Sequence, residues 1–228
     1  MPATSKTTKP YFTPELFGFL SELKEHNDRD WFAKNRERYE RVVREPFLDF
    51  IQDVGPRRAK ISPHLVADPR PVGGSLFRIH RDVRFSKDKS PYKTYAGAHF
   101  RHSTGKDVHA PGVYLHLQPE ECFVGGGMWQ PDPPALTAIR RAIDEQPAAW
   151  RKARRTTLMG GETLKRPPQG YPPDHAFIED LKRKSFVTSA PLEDQQLSEP
   201  SFMTTFLSAC RSMQPFLKFL ATAVGLPW

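Results

Sequence analysis

The sequence predicts an α+β fold: an antiparallel sheet of about four to five strands from the middle of the chain, packed by N-terminal and C-terminal helices. Three observations carry this expectation. Residues 13–54 and 200–224 space their apolar side chains at helical intervals. Residues 75–129 break instead into short runs rich in β-branched and aromatic residues, bounded by turn residues. The segments between those runs are too helix-poor to serve as the crossovers of a parallel sheet.

The elements follow in chain order. Residues 1–10 read as a flexible polar tail. Thr13 caps the first helix, with Pro14 at its first position. Phe12 and Phe17 fit the staple positions around that cap, and Leu16, Phe17, Leu20 and Leu23 form the expected buried stripe. Asp28 caps a longer helix whose apolar positions include Trp31, Phe32, Tyr39, Val42, Val43, Phe47, Phe50, Ile51 and Val54. Pro46 must kink or divide it, and Gly55-Pro56 is expected to end it.

Strands are expected over 75–80, 92–100, 113–117 and 122–129, the last two joined by a turn at Gln118-Pro119-Glu120-Glu121. Asp132-Pro133 opens another helix with Leu136, Ile139 and Ile143 inward, and Pro147 restarts it. A loop rich in Gly and Pro covers 160–173. Asp174 is expected to cap a helix carrying Phe177, Ile178 and Leu181, followed by a strand over 186–189. The last helix places Phe202, Phe206, Cys210, Met213, Leu217 and Leu220 inward and bends at Pro215. No repeat and no long linker interrupts this order, so residues 11–228 read as a single globular domain.

Composition narrows the class. Hydrophobic residues make up 38% of the 228, with 16 Phe and 4 Trp, enough for a sizeable core and too much for a disordered chain. Two distant cysteines exclude a disulfide framework and a CxxC zinc site. The opening MPATSKTTKP is too polar for a signal peptide, and no run approaches the ~20 apolar residues of a membrane span. A reducing cytoplasm and no membrane partner are the expectation. The net charge of +8 and pI of about 9.6 permit an anionic ligand or nucleic acid without requiring either.

Half of that charge sits in residues 77–94. Arg78, Arg81, Arg84, Lys87, Lys89 and Lys93 face only Asp82 and Asp88, leaving +4 of the chain's +8. Ser86, Ser90 and Thr94 add hydroxyls. On a strand over 75–80, Arg78 and His80 share one face while Phe77 and Ile79 pack inward. Arginine forks suit carboxylate or phosphate, and Asp82 can hold one of them in place. The candidate ligand site is therefore Arg78, Arg81, Asp82, Arg84, Ser86, Lys87, Lys89, Tyr92 and Lys93. The bland alternative is an ion-paired connection between two strands.

Other chemistries are weaker. His80, His99 and His116 could meet on neighbouring strands, but none has the spacing of a metal motif and acids are scarce nearby. Gly125-Gly126-Gly127 lacks the phosphate-loop patterns and reads as a close backbone approach, by a neighbouring helix or by the Trp129 ring. Cys122 and Cys210 fall on apolar patterns and read as core. Glu37 with Glu40, and Asp28 with Asp30, look like a solvated face and a cap. The arginines of the second helix are interleaved with acids, as on a salt-bridged surface helix. No cofactor is predicted.

Several stretches are distinctive together: Asn27-Asp28-Arg29-Asp30-Trp31-Phe32, Asn35-Arg36 and Tyr39-Glu40, the basic segment, Gly125-Gly126-Gly127-Met128-Trp129, and Leu181-Lys182-Arg183-Lys184-Ser185-Phe186. In these the chain resembles a mainly bacterial family, domain of unknown function 2461, over nearly its whole length from Tyr11. The resemblance implies one compact domain and a bacterial, cytoplasmic setting, and it brings no activity with it. The family pattern often has Tyr where this chain has His80, which counts against an indispensable role for His80.

Three functions are compatible with these residues. The first is a binding module for an anionic, phosphate-bearing ligand, with nucleic acid as one version. The second is a hydrolase or transferase acting on a phosphorylated small molecule in the same pocket, using His80, Asp82, Lys87 or Tyr92 as acid or base. The third is a structural or protein-interaction role, in which the basic segment meets acidic side chains of the helices.

Overall fold

Thr13 and Pro14 start the first helix where the sequence places it. Thr13 is extended and Pro14 lies in the opening turn of α1 (Pro14–Glu25). Its buried stripe is Leu16, Phe19, Leu20 and Leu23. Phe19 replaces the expected Phe17, which is only half-buried, because Leu16, Phe19, Leu20 and Leu23 keep the i, i+3, i+4, i+7 spacing of one helix face. The computed structural model describes residues 9–105, 109–155 and 158–228, so residues 1–8 of the expected polar tail lie outside the described residues.

Asp28 caps the second helical stretch, its carboxylate accepting the Trp31 N–H at 2.8 Å. That stretch comes in pieces: α2 (Arg29–Lys34), α3 (Arg36–Tyr39), a π turn (Glu40–Arg44) and α4 (Glu45–Val54). The wide turn stands directly before Pro46, whose ring would crowd the carbonyl one turn back in a regular α-helix. Gly55-Pro56 tightens the helix rather than ending it, since the chain continues as a 3-10 turn (Gly55–Lys60).

Four strands form one antiparallel sheet in the order β1 (Ala96–Arg101), β2 (Gly112–Gln118), β3 (Glu121–Met128) and β4 (Phe186–Pro191). The β2–β3 turn forms at Pro119-Glu120, as the sequence predicts, with Glu120 in the left-handed region. The strand expected over 75–80 is reduced to two isolated bridges, Leu76 to Ala98 and His80 to Tyr92. These are out of step. Continuing the first register would set His80 opposite Thr94, so a two-residue slip divides the run and neither ladder lengthens.

The strands bury one face under the helices. Ala98, Phe100, Val113, Leu115, Leu117 and Val124 join Phe12, Phe19, Phe47 and Phe50 in the larger core cluster. The last helix, α9 (Phe202–Ala223), crosses β3 and buries all six residues expected of it, with Pro215 inside. Gly126 makes the crossing possible, since a Cβ there would lie 2.8 Å from the Met213 sulfur. Gly127 has φ +140, and a Cβ on it would stand 2.1 Å from the Phe186 carbonyl oxygen.

A second cluster lies beyond the β3–β4 end. It gathers Met128, Ile139, Ile143, Trp150, Leu181, Phe186, Phe216 and Phe219 from the sheet, α9, α5 (Pro133–Glu145), α6 (Pro147–Ala153) and α7 (Ile178–Leu181). Asp132 caps α5 through the Ala135 N–H at 2.9 Å. The helix expected after Asp174 shrinks to the single turn of α7. Its cap is Phe177, whose N–H is taken by His175 Nδ1 at 3.1 Å. Short α8 (Asp194–Leu197), closed by a Glu193–Gln196 capping box, is absent from the sequence reading. No helix among the described residues is long and apolar enough to cross a membrane.

Candidate functional site

Two of the six cations of the basic segment are paired within it. Arg81 pairs with Asp88, and Asp88 also accepts the Ser90 N–H and hydroxyl. Arg84 closes a fork on Asp82, Nε to Oδ1 at 2.9 Å and Nη2 to Oδ2 at 2.7 Å. The Arg84 guanidinium holds the Asp82 carboxyl down at about 2, and the Ser90 hydrogen bonds with the Arg81 pair hold Asp88 well below the usual carboxylate range. Lys89 donates to the Val83 carbonyl at 3.0 Å. The Ser86 N–H is likewise spent on Val83. Lys87 is exposed.

Tyr92 is taken up in packing. Its ring is buried and stacks on Phe32 at 4.1 Å, while its N–H and carbonyl are both held by the Asn27 side chain at 3.0 Å. Two of the distinctive stretches thus meet: Asn27 and Phe32 clamp the end of the basic segment. His80 lies beside Tyr92 and Phe32, away from the other histidines. The inward residues near 75–80 are Leu76 and Ile79; Phe77 belongs to the opposite face of the sheet, over Tyr114 and His99.

That opposite face holds the main concavity at this end of the molecule. The outward positions in the middle of β1, β2 and β3 are Gly97, His99, Gly112, Tyr114, His116, Phe123, Gly125 and Gly127, with the charged Arg101 and Glu121 only at the strand ends. Phe77, Tyr95, Trp129, Met159 and Val187 rise around them, enclosing a groove of about 430 Å³. Its volume falls within the range of small-molecule sites. Glycine shapes the floor: a Cβ at Gly97 would collide with the Tyr114 ring at 2.3 Å, and one at Gly112 with His99 Nε2 at 2.6 Å. Over Gly125 a Cβ meets only ordinary contacts, so that part of the floor is open.

Polar groups in the groove are few and fixed. The Tyr114 hydroxyl lies 3.1 Å from His116 Nδ1. His116 stacks on Phe123 at 4.8 Å and 15° and on Tyr95 at 4.7 Å. Burial pushes the Tyr114 phenol up and the His116 imidazole down, so near neutrality the pair is a protonated phenol hydrogen-bonded to an uncharged ring. The unfolded chain therefore takes a proton at His116 more readily than the folded one. Its contribution to stability is present above the ordinary value of 6.5 and is lost as pH falls below it. Urea titrations between pH 7.5 and 5 should show this slope in the parent protein and a shallower one in His116→Phe; equal slopes would refute the assignment.

Lys93 joins the groove to the basic segment. Its ammonium lies 5.2 Å from the centre of the Phe77 ring and 5.7 Å from that of Tyr95, both groove walls. Burial, and the charge of Arg78 nearby, lower its pKa. Arg78 is exposed and stands outside the Arg81–Asp88 and Arg84–Asp82 pairs. Of the nine residues expected to form the site, Lys93 lies against two groove walls, and Arg78 is close enough to lower its pKa.

The remaining candidates are structural. Cys122 and Cys210 are free, buried thiols whose pKa values burial pushes up. Arg38 clasps Glu22 and Arg44 clasps Glu40, the salt-bridged pattern expected of that helix. His102 is fully buried and bonded by both ring nitrogens, to Thr104 and to the Pro227 carbonyl. No group of three or more His, Cys, Asp or Glu among the described residues is placed to hold a metal ion.

The sequence reading missed the groove. Its signal was present, though. Away from the strand ends, the alternate positions of β1–β3 carry Gly, His, Tyr and Phe where a solvated sheet face would carry Lys, Glu or Thr. No curated protein and no solved structure matches the chain. Residues 15–219 match the family described as Conserved hypothetical protein (DUF2461), and the chain belongs to that family.

Proposed function

We propose that the protein binds an anionic small molecule with a planar apolar part, the flat part in the groove and the anion at Arg78 and Lys93. The observation that carries this reading is Lys93, held between two groove walls beside Arg78 with no carboxylate against it among the described residues. An anion there gains two cations at the edge of a low-dielectric site, where each interaction counts for more than in water. A flat ring gains the open floor over Gly125 and the aromatic walls. Free, buried Cys122 and Cys210 suit a cytoplasmic setting for such a binder.

A thermal-shift screen with inorganic phosphate, mononucleotides and pyridoxine 5′-phosphate tests this. A ligand at 100 times its Kd stabilises the fold by about 2.7 kcal/mol. Gly125→Val fills the floor with its Cβ in only ordinary contacts, the nearest backbone atom being the Thr188 carbonyl oxygen at 3.7 Å, so the parent melting temperature should persist while the shift disappears. Arg78→Ala should weaken the shift of the phosphorylated compounds. If no compound stabilises the parent, or if both variants respond as the parent does, the reading is wrong.

One observation favours an extended version, a single nucleic-acid strand. Phe85 is 95% exposed in the basic segment, with Arg84 5.8 Å from its ring centre, a stacking side chain amid cations. This version requires binding that falls steeply with salt and weakens in Phe85→Ala. Salt-independent binding would remove it.

A further inference from the structure

Two lysines among the described residues are half-buried, Lys93 and Lys182. Lys182 donates to the Glu179 carboxylate at 3.0 Å. Lys93 differs on each count that matters for reactivity. No acceptor within the described residues takes its protons, its neighbours are two ring faces, and the charge acting on it is another cation, Arg78. The ring faces attract the ammonium form but supply no hydrogen-bond acceptor to hold its proton. Partial burial and an adjacent cation both favour the neutral form, the two devices by which lysines become nucleophiles. The amine lies against Phe77 and Tyr95, two walls of a groove wide enough for a small molecule.

We propose that Lys93 is a nucleophilic amine that forms an imine with a carbonyl-bearing anionic ligand seated in the groove. The inference rests on the groove reading above, because the carbonyl compound must enter there. The Lys93 Nζ lone pair adds to the carbonyl carbon, and the carbonyl oxygen takes a proton to give a carbinolamine. Loss of that hydroxyl as water forms the C=N bond. One amine and one carbonyl give one imine and one water, with no oxidant or reductant. The substrate class is a small aldehyde or ketone carrying phosphate or carboxylate, its anion on Arg78. The hydroxyl–imidazole pair of Tyr114 and His116 shares the Phe77 and Tyr95 walls with Lys93 and offers nearby proton-transfer groups.

The experiment uses the full chain and pyridoxal 5′-phosphate as probe, at limiting concentration near neutral pH. Borohydride then delivers hydride to the imine carbon and fixes the adduct as a secondary amine for peptide mass mapping. Most of the label is expected on Lys93, and Lys93→Met and Lys93→Arg should lose it, with circular dichroism confirming that each variant folds. Label spread over exposed lysines such as Lys87 and Lys89, or unchanged total labelling in both variants, overturns the proposal. Pyridoxine 5′-phosphate, which has no carbonyl, separates the two readings. A thermal shift from it without trapping at Lys93 sinks the imine alone. Trapping at Lys93 by phosphate-free pyridoxal as efficiently as by the phosphate, with no thermal shift, sinks the anion site alone.

Discussion

Phe50→Ala is expected to destabilise the protein by about 3–5 kcal/mol, measured as a lower urea midpoint at unchanged m-value. The ring is fully buried and lies at a junction of aromatic side chains. Phe206 is 5.1 Å away, Tyr11 5.3 Å, Phe12 5.5 Å and Phe202 5.5 Å, with Phe100 of β1 at 6.4 Å. These neighbours come from the segment before α1, from the sheet and from α9. Truncation therefore loses transfer energy and leaves a cavity whose walls belong to three separately anchored elements, none free to close it. Phe50→Leu, which keeps much of the volume, should cost clearly less. A loss below about 1 kcal/mol for the alanine variant would mean that the seam repacks and the description of the core is wrong.

Asp180→Ala should cost about 3 kcal/mol, from the unpaired hydrogen-bond donors and charge it leaves behind. Asp180 is 2% exposed at the end of α7 and accepts the Trp150 indole N–H at 2.9 Å. Arg154 approaches it at 3.2 Å and Arg183 at 3.5 Å. Without the carboxylate, a fully buried indole N–H loses its acceptor and Arg183, already short of partners at Nε, loses its counter-charge. Arg154 can turn to water, being half-exposed, which limits the loss. Asp180→Asn keeps an acceptor for Trp150 and removes only the charge, so it should fall between parent and alanine in thermal denaturation. Equal losses for both variants would assign the effect to the arginines rather than to Trp150.

The long helices and all four strands were legible because their signals are local. Asp28 and Asp132 cap helices by chemistry that needs no distant partner, and the stripe from Phe202 to Leu220 states its own period. The misreadings have a common cause. Whether 75–80 forms a strand depends on the register of 92–98, and whether Tyr92 faces ligand or core depends on Phe32, sixty residues earlier. Charge density in 77–94 was legible as well, but two of its cations, Arg81 and Arg84, are spent internally on Asp88 and Asp82. The groove was hardest to foresee. Its walls come from Phe77, Tyr95, Trp129, Met159 and Val187, which no local pattern connects.

The place of α9 in the order of synthesis has a consequence for how this chain is made. Its first half completes the cluster around Phe50, and Phe216, Phe219 and Leu220 complete the cluster around Trp150. The sheet and every other helix precede it in the sequence. As the chain leaves the ribosome, both apolar surfaces wait uncovered until α9 emerges, and the flat glycine track of β3 waits with them. At about 5–20 residues per second the interval is seconds long. A nascent chain stalled before residue 202 should bind nascent-chain chaperones and be cut readily by protease, whereas the full chain stalled on an added C-terminal linker that brings α9 out of the ribosome should resist both.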